Sequence, residues 1–227
     1  MSDIAARDRV LGRIKRSLNV KDGDDASRQK VARERLKSHA PNLVPERGHT
    51  SGESRLELFT RMLDGQSASV SRAKSPEEIP EIVANYLREQ NLPAEFRTGS
   101  DPLLNEIPWS KAPSLTRHFG PGQANDAVSL SHATGAAAET GTLFLTSGAD
   151  NPTTLNFLPD THMVVIRAED ISGSYEGAWN ALRKVYGEGN MPRTVNLVSG
   201  PSRTADIDQI IVMGAHGPRR LHVILLG

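Results

Sequence analysis

Two glycine-marked segments hold most of the residues that could do chemistry. The first is Ala133-Thr134-Gly135-Ala136-Ala137-Ala138-Glu139-Thr140-Gly141-Thr142. Its small side chains let a backbone approach a ligand closely, and Gly135 and Gly141 permit positive φ. Glu139 is its one acidic residue. Burial beside a substrate would raise a carboxylate's pKa and suit it to general-base or nucleophilic work. The same glutamate could instead bond neighbouring backbone N–H groups and close a tight turn. The second segment is Ser199-Gly200-Pro201-Ser202-Arg203-Thr204-Ala205-Asp206. It follows an apolar strand, and Ala205–Gln209 can open a short helix. Backbone N–H groups there, with the Ser202 and Thr204 hydroxyls and the Arg203 guanidinium, suit a phosphate or carboxylate. Asp206 and Asp208 oppose this, because their charges already satisfy the helix dipole. A capped strand-to-helix turn is the plainer account. A third segment, Gly214-Ala215-His216-Gly217-Pro218, is a turn whose His216 could reach a site at the strand ends or lie on the surface.

Other chemistries are set aside by composition and spacing. The chain has 227 residues, no cysteine and a formal net charge of zero. Without cysteine there is no disulfide, no four-cysteine zinc site and no thiolate-ligated iron–sulfur cluster. The seven histidines form no close pair of the HExxH type, so no metal site is expected. Ser202 stands in Gly-Pro-Ser-Arg rather than in a Gly-x-Ser-x-Gly elbow. Zero net charge and 4% aromatic residues argue against nucleic acid. No apolar run approaches the roughly 20 residues of a membrane span. The N-terminus has no apolar signal region, and a cytoplasmic protein without a resident cofactor is the expectation.

The elements that must position these residues follow from periodicity. Residues 1–37 carry 11 Lys and Arg against 6 Asp and Glu, with Val10, Leu11, Ile14 and Leu18 at helical spacing. This predicts an amphipathic helical arm, either packed on its own domain or a twin subunit, or docking a partner protein. Residues 38–53, with Pro41, Pro45, Gly48 and Gly52, read as a linker or long loop, so the division is an arm over 1–53 and an α/β domain over 54–227. Leu56, Phe59, Met62 and Leu63 mark a second helix, and Ser67–Ala73 a strand. Ser75-Pro76-Glu77-Glu78 reads as a capping box, with Glu78 reaching back to the cap's N–H. Ile79, Ile82, Val83, Tyr86 and Leu87 form the buried stripe of the helix that follows. Ala94–Arg97 is a strand, and residues 98–126 are a functional loop or an irregular element. Strands follow at Ala127–Ser131, Thr142–Thr146, His162–Ile166, Val195–Val198 and Leu221–Leu226. Tyr175–Tyr186 is a helix with Trp179, Leu182 and Val185 inward. Alternating strands and helices predict an α/β fold with a mostly parallel sheet flanked by helices.

The three segments, in this order and followed by Leu221-His222-Val223-Ile224-Leu225-Leu226, resemble the lactate-utilization protein C family, the LUD domain. The resemblance is specific over Ser129–Gly227 and looser before it. It implies a fold similar to the CoA-transferase and ribose-5-phosphate-isomerase group, with ligands at the strand ends. It implies one component of a bacterial system that oxidises L-lactate to pyruvate, whose partners carry iron–sulfur clusters. An accessory subunit is then expected rather than a stand-alone enzyme. It would bind a small anionic ligand through Thr134, Gly135, Thr140, Gly141, Gly200, Ser202, Arg203, Thr204 and His216, beside a catalytic Glu139. Ala138-Glu139-Thr140-Gly141 also looks like the Ser-Glu-Asn-Gly turn of CoA transferases, with Ala for Ser and Thr for Asn. Acyl transfer through Glu139, and a non-catalytic scaffold, are the two alternatives.

Overall fold

The computed structural model describes residues 3–20, 25–187, 189–207 and 210–227. The chain divides into two compact units, Met1–Asn42 and Leu43–Gly227. The first contains α1 (Asp3–Ser17) and α2 (Asp25–Ser38). The apolar stripe expected along the arm is open: Val10, Leu11, Ile14 and Leu18 are all exposed, and α2 buries no residue. Among the described residues no helix is long and apolar enough to cross a membrane.

The second unit is built on six parallel strands. These are β1 (Ser69–Ala73), β2 (Glu95–Thr98), β3 (Thr116–Phe119), β4 (Val128–His132), β7 (Thr161–Arg167) and β12 (Arg220–Leu226), in the spatial order β1-β12-β7-β4-β2-β3. The inner strands β7 and β12 are covered on both faces, which is why they read as nearly continuous apolar runs. On one face Ile79, Val83 and Leu87 of α4 (Ile79–Glu89) pack with Phe96, Trp109, Met163, Val165 and Ile224. On the other face Phe59 and Leu63 of α3 (Gly52–Gly65) join Leu143, Leu145, Val164, Ile166, Val223 and Leu225. That second layer includes a smaller sheet, ordered β8-β5-β6-β9 from β5 (Gly135–Ala137), β6 (Thr142–Thr146), β8 (Ile171–Ser172) and β9 (Val195–Val198). The helix α6 (Tyr175–Tyr186) packs on its outer side through Ala178, against Phe144 and Ala137.

Several local expectations are corrected. Ser75 makes no side-chain cap; a tight 3₁₀ turn over Pro76–Glu78 precedes α4, and Glu78 accepts the Lys74 N–H at 2.9 Å instead. Val185 is exposed, although Leu182 of the same helix is buried. The stretch 98–126 holds α5 (Pro102–Glu106), a 3₁₀ turn at Trp109–Lys111 and the edge strand β3. No helix opens at Ala205: β10 (Arg203–Ile207) pairs antiparallel with β11 (Ile210–Met213), and residues 208–209 of the expected helix lie outside the described residues. The physical reason is the β-branched run Ile210-Ile211-Val212, separated from Ile207 by two positions, a hairpin spacing. By its contacts residue 43 onward belongs to the α/β unit, and Gly48 is buried in a 3₁₀ turn at Glu46–Gly48.

Candidate functional site

The residues singled out by sequence fall in three places. Glu139 sits on the turn between β5 and β6, where Gly141 takes a φ of 65°. That turn lies so close to α3 that a Cβ on Gly141 would be 2.9 Å from the Leu63 nitrogen. Glu139 is only 4% exposed. Its N–H donates to the Gly173 carbonyl at 3.0 Å, and its Oε1 accepts the Tyr175 N–H at 2.8 Å. Tyr175 is the first residue of α6, and the Ser174 side chain accepts the Gly177 N–H. Glu139 and Ser174 therefore divide the orphan amides of one helix start between them. Oε2 has no partner among the described residues, and the buried Gly48 turn closes over it. Replacing Glu139 by Gln should keep the shape, weaken the Tyr175 bond and bury an amide without an acceptor. A loss of about 2 kcal/mol in a urea titration is the expected result; an unchanged midpoint would mean that α6 does not depend on this carboxylate.

Thr140 and Thr142 continue from that turn into a hydroxyl chain. Thr142 Oγ1 lies 2.7 Å from Thr140 Oγ1, 2.8 Å from the Tyr175 hydroxyl and 2.7 Å from Ser199 Oγ. So the first glycine segment touches the second through Ser199. Both also rest on the end of α3, since a Cβ on Gly200 would lie 2.9 Å from that of Gln66.

Thr134 and Gly135 lie at the opposite end of the β5–β6 hairpin. Thr134 Oγ1 is 2.7 Å from Thr146 Oγ1, which also accepts from the Tyr186 hydroxyl. Nearby, at the carboxyl ends of β2 and β4, His132 Nδ1 is 3.1 Å from Asp101 Oδ2. The other Asp101 oxygen caps α5 through the Leu103 N–H. Burial opposes ionisation of Asp101, but the His132 contact and the Leu104 and Leu103 amides hold its carboxyl below the usual range. Asp170, which feels the charge of His132, is pushed up by burial and by Glu169. Among the described residues no group of three or more His, Asp or Glu side chains is placed to hold a metal ion.

The third place is a cavity of about 240 Å³ beside the first residues of β7 and β12. Ser199, Gly200 and Ser202 form one wall; His216, Gly217 and Pro218 form another. Ser202 holds the two walls together, its N–H donating to the Pro218 carbonyl at 2.8 Å and its carbonyl accepting the Gly214 N–H at 2.9 Å. Leu197, Val198, Phe157 and Leu221 add apolar surface, and Asn156 and His162 add polar groups. Arg203 and Thr204 do not line it; the exposed Arg203 donates to Ser67 Oγ at 2.7 Å. Glu139 does not line it either.

Residues 56–226 match the family described as the LUD domain. The chain belongs to the LUD domain family. It is similar to "Lactate utilization protein C" of Deinococcus radiodurans, 36% identical over 198 residues that cover 82% of this chain and 88% of that protein. It is also similar to the protein of that name from Bacillus subtilis, 32% identical over 105 residues, 46% of this chain and 43% of that one. Among solved structures it resembles the crystal structure of a DUF162 family protein from Deinococcus radiodurans. The TM-score there is 0.57 at 23% identity, over 78% of this chain and 99% of the other, a likeness of fold.

Within this LUD domain the sequence reading missed His162, Asn156 and Ser131. His162 is 1% exposed, and its Nε2 lies 3.1 Å from Ser131 Oγ. Ser131 Oγ donates to Asn156 Oδ1 at 3.4 Å. For Ser131 and His162 the available signal was a polar residue within a largely apolar strand, whereas Asn156 stands in the 3₁₀ turn Thr153–Asn156, where no strand period marks it. Buried polar groups of that kind need partners, and so mark a network.

Proposed function

We propose that this LUD domain is a cytoplasmic component of L-lactate utilization that holds a small hydroxy-carboxylate in the cavity between Ser199–Ser202 and His216–Pro218. The convergence of two separate turns on one small space carries this reading. The space has an apolar side for a methyl group, and a hydroxyl and imidazole side for a carboxylate. The names carried by its relatives supply the metabolic setting. A chain with no cysteine cannot ligate an iron–sulfur cluster through thiolates, so electrons from lactate oxidation would pass to partner proteins that carry one. The exposed apolar residues of α1 are the surface offered to such partners. Glu139 is less suited to acyl transfer, because the Gly48 turn covers its free oxygen.

Thermal-shift and calorimetric titration of the purified chain with L-lactate tests the cavity. Ser202→Ala and His216→Ala should each weaken binding by about tenfold, the equivalent of one hydrogen bond of about 1.4 kcal/mol. Arg203→Ala should change it less, because its guanidinium is engaged outside the cavity. Absence of binding by any small carboxylate would end this reading.

A further inference from the structure

Residues 43–51 lie over the start of α6, and the contacts that seat them there are ones of shape. Gly48 alone among them is buried. A Cβ on Gly173 would stand 2.1 Å from the Gly48 carbonyl oxygen, and a Cβ on Gly48 would lie 3.1 Å from Ser174 Cβ and 3.3 Å from Glu139 Oε2. The bonds of the 3₁₀ turn run inside it: the Gly48 N–H donates to the Pro45 carbonyl at 2.8 Å and the His49 N–H to the Glu46 carbonyl at 3.0 Å. They survive if the segment moves as a unit. Two polar atoms oppose closure. Glu139 Oε2, beneath Gly48, and Thr50 Oγ1, on the segment itself, are buried without a partner among the described residues. Water satisfies such groups in an open state, so their burial favours opening. With so little buried apolar surface to set against this, the segment belongs to the low end of local stability. A pivot follows at Gly52, which has a φ of 53° and nothing within 4 Å of an added Cβ. α6 does not need the cover, because Glu139 Oε1 and Ser174 already hold the Tyr175 and Gly177 amides.

We propose that residues 43–51 form a strap that opens on Gly52 while the rest of the domain stays folded, and so controls when the Glu139 carboxylate meets solvent. The strap is also the covalent link between residues 1–42 and the domain, so movement of the arm acts on this cover before any other part. Glu139 does not line the cavity of Ser199–Ser202 and His216–Pro218, and the strap therefore stands apart from the binding of a small carboxylate there.

The chain has no cysteine, so Thr50→Cys puts a single thiol in place of the buried strap hydroxyl. Ser129→Cys, at a fully buried position of β4, supplies the comparison. Each full-length variant is mixed with an aromatic disulfide reagent in rising urea below the unfolding transition. The Thr50→Cys thiol should react about a hundredfold more slowly than in the unfolded chain, yet at least about tenfold faster than that of Ser129→Cys. Its rate should be nearly independent of urea, because strap opening exposes little surface, whereas the Ser129→Cys rate should climb steeply. In the chain without substitutions, carbodiimide coupling of an amine to Glu139, read by mass spectrometry, should show the same flat dependence on urea. A Thr50→Cys thiol as reactive as in the unfolded chain would mean that the segment covers nothing. A thiol or a Glu139 carboxylate that reacts only as global unfolding sets in would mean that the strap does not open by itself. Either result overturns the proposal.

Discussion

Between pH 6.5 and about 4 the free energy of unfolding should fall by about 2.7 kcal/mol per pH unit. Two histidines produce this. His162 is enclosed in the second layer, and His222, 2% exposed, stacks on Tyr86 at 4.0 Å with its Nδ1 2.8 Å from Ser69 Oγ. Burial pushes His162 down to about 3 and His222 down to about 4. In the unfolded chain both titrate near 6.5. Above that pH neither state binds the proton, and the fold keeps its full stability. Below it the unfolded chain takes up two protons that the folded one refuses. Each contributes about 1.36 kcal/mol per pH unit until its folded pKa is reached. Asp101 and Asp126, whose carboxyls are held below the usual range, extend the loss further into acid, and Asp170 opposes them. Summed over that window the loss is about 7 kcal/mol, enough to unfold near pH 4 a domain at the lower end of the usual range of about 5–15 kcal/mol. Urea midpoints at pH 7.5, 6.0, 5.0 and 4.5 measure it. His222→Phe, which preserves stacking on Tyr86, should halve the slope. A flat profile down to pH 4.5 would show that the imidazoles reach water.

Gly173→Ala should lower stability by about 3 kcal/mol, a fall of roughly 6–12 °C in Tm for a domain of this size. A Cβ at this position would stand 2.1 Å from the Gly48 carbonyl oxygen and 3.3 Å from that of Thr50. Gly173 is not among the positive-φ residues, so the cost is one of space alone. Retreat is blocked on the far side, because the Gly173 carbonyl accepts the Glu139 N–H. The chain must therefore lift the 46–48 turn, and with it the cover over Glu139 Oε2. Gly65→Ala is the contrasting case. It ends α3 with nothing within 4 Å of the added carbon, and should stabilise by about 0.5–1 kcal/mol. Equal shifts for the two variants would contradict the close approach of Gly48 to Gly173.

Where periodicity was strong, the sequence was a good guide. Thr142–Thr146, Val195–Val198 and Tyr175–Tyr186 form the elements expected of them, because alternation or an apolar stripe fixes each one locally. The edge strand β3 was missed: Thr-Arg-His-Phe is mostly exposed, and an edge strand needs no buried face to give it a period. A short helix is expected over Ala205–Gln209 because single residues of Ala, Asp and Gln favour one, whereas Arg203–Ile207 forms a strand. Its strand character comes from the later run Ile210–Met213 that it pairs with. The polar constellations were the least legible. Asp101 and His132 are 31 positions apart, and His162 and Ser131 likewise, so neither pair forms a motif. Only the parallel register of β4, β7 and β2 brings them together.

That register also sets the order in which the protein can be made. Ser69 of β1 is bonded to His222 of β12, 153 positions further on, and β12 lies between β1 and β7. A nascent chain must therefore carry β1 with its pairing groups unspent while every other strand of the sheet is synthesised. The final step is the insertion of a strand between two others, not the addition of one at an edge. Contacts of such long sequence separation place folding toward the slow end for a domain of this size. Until β12 arrives, Val70 and the apolar side of β7 remain open to other chains, so crowding on the ribosome, rather than weakness of the finished fold, is where yield would be lost.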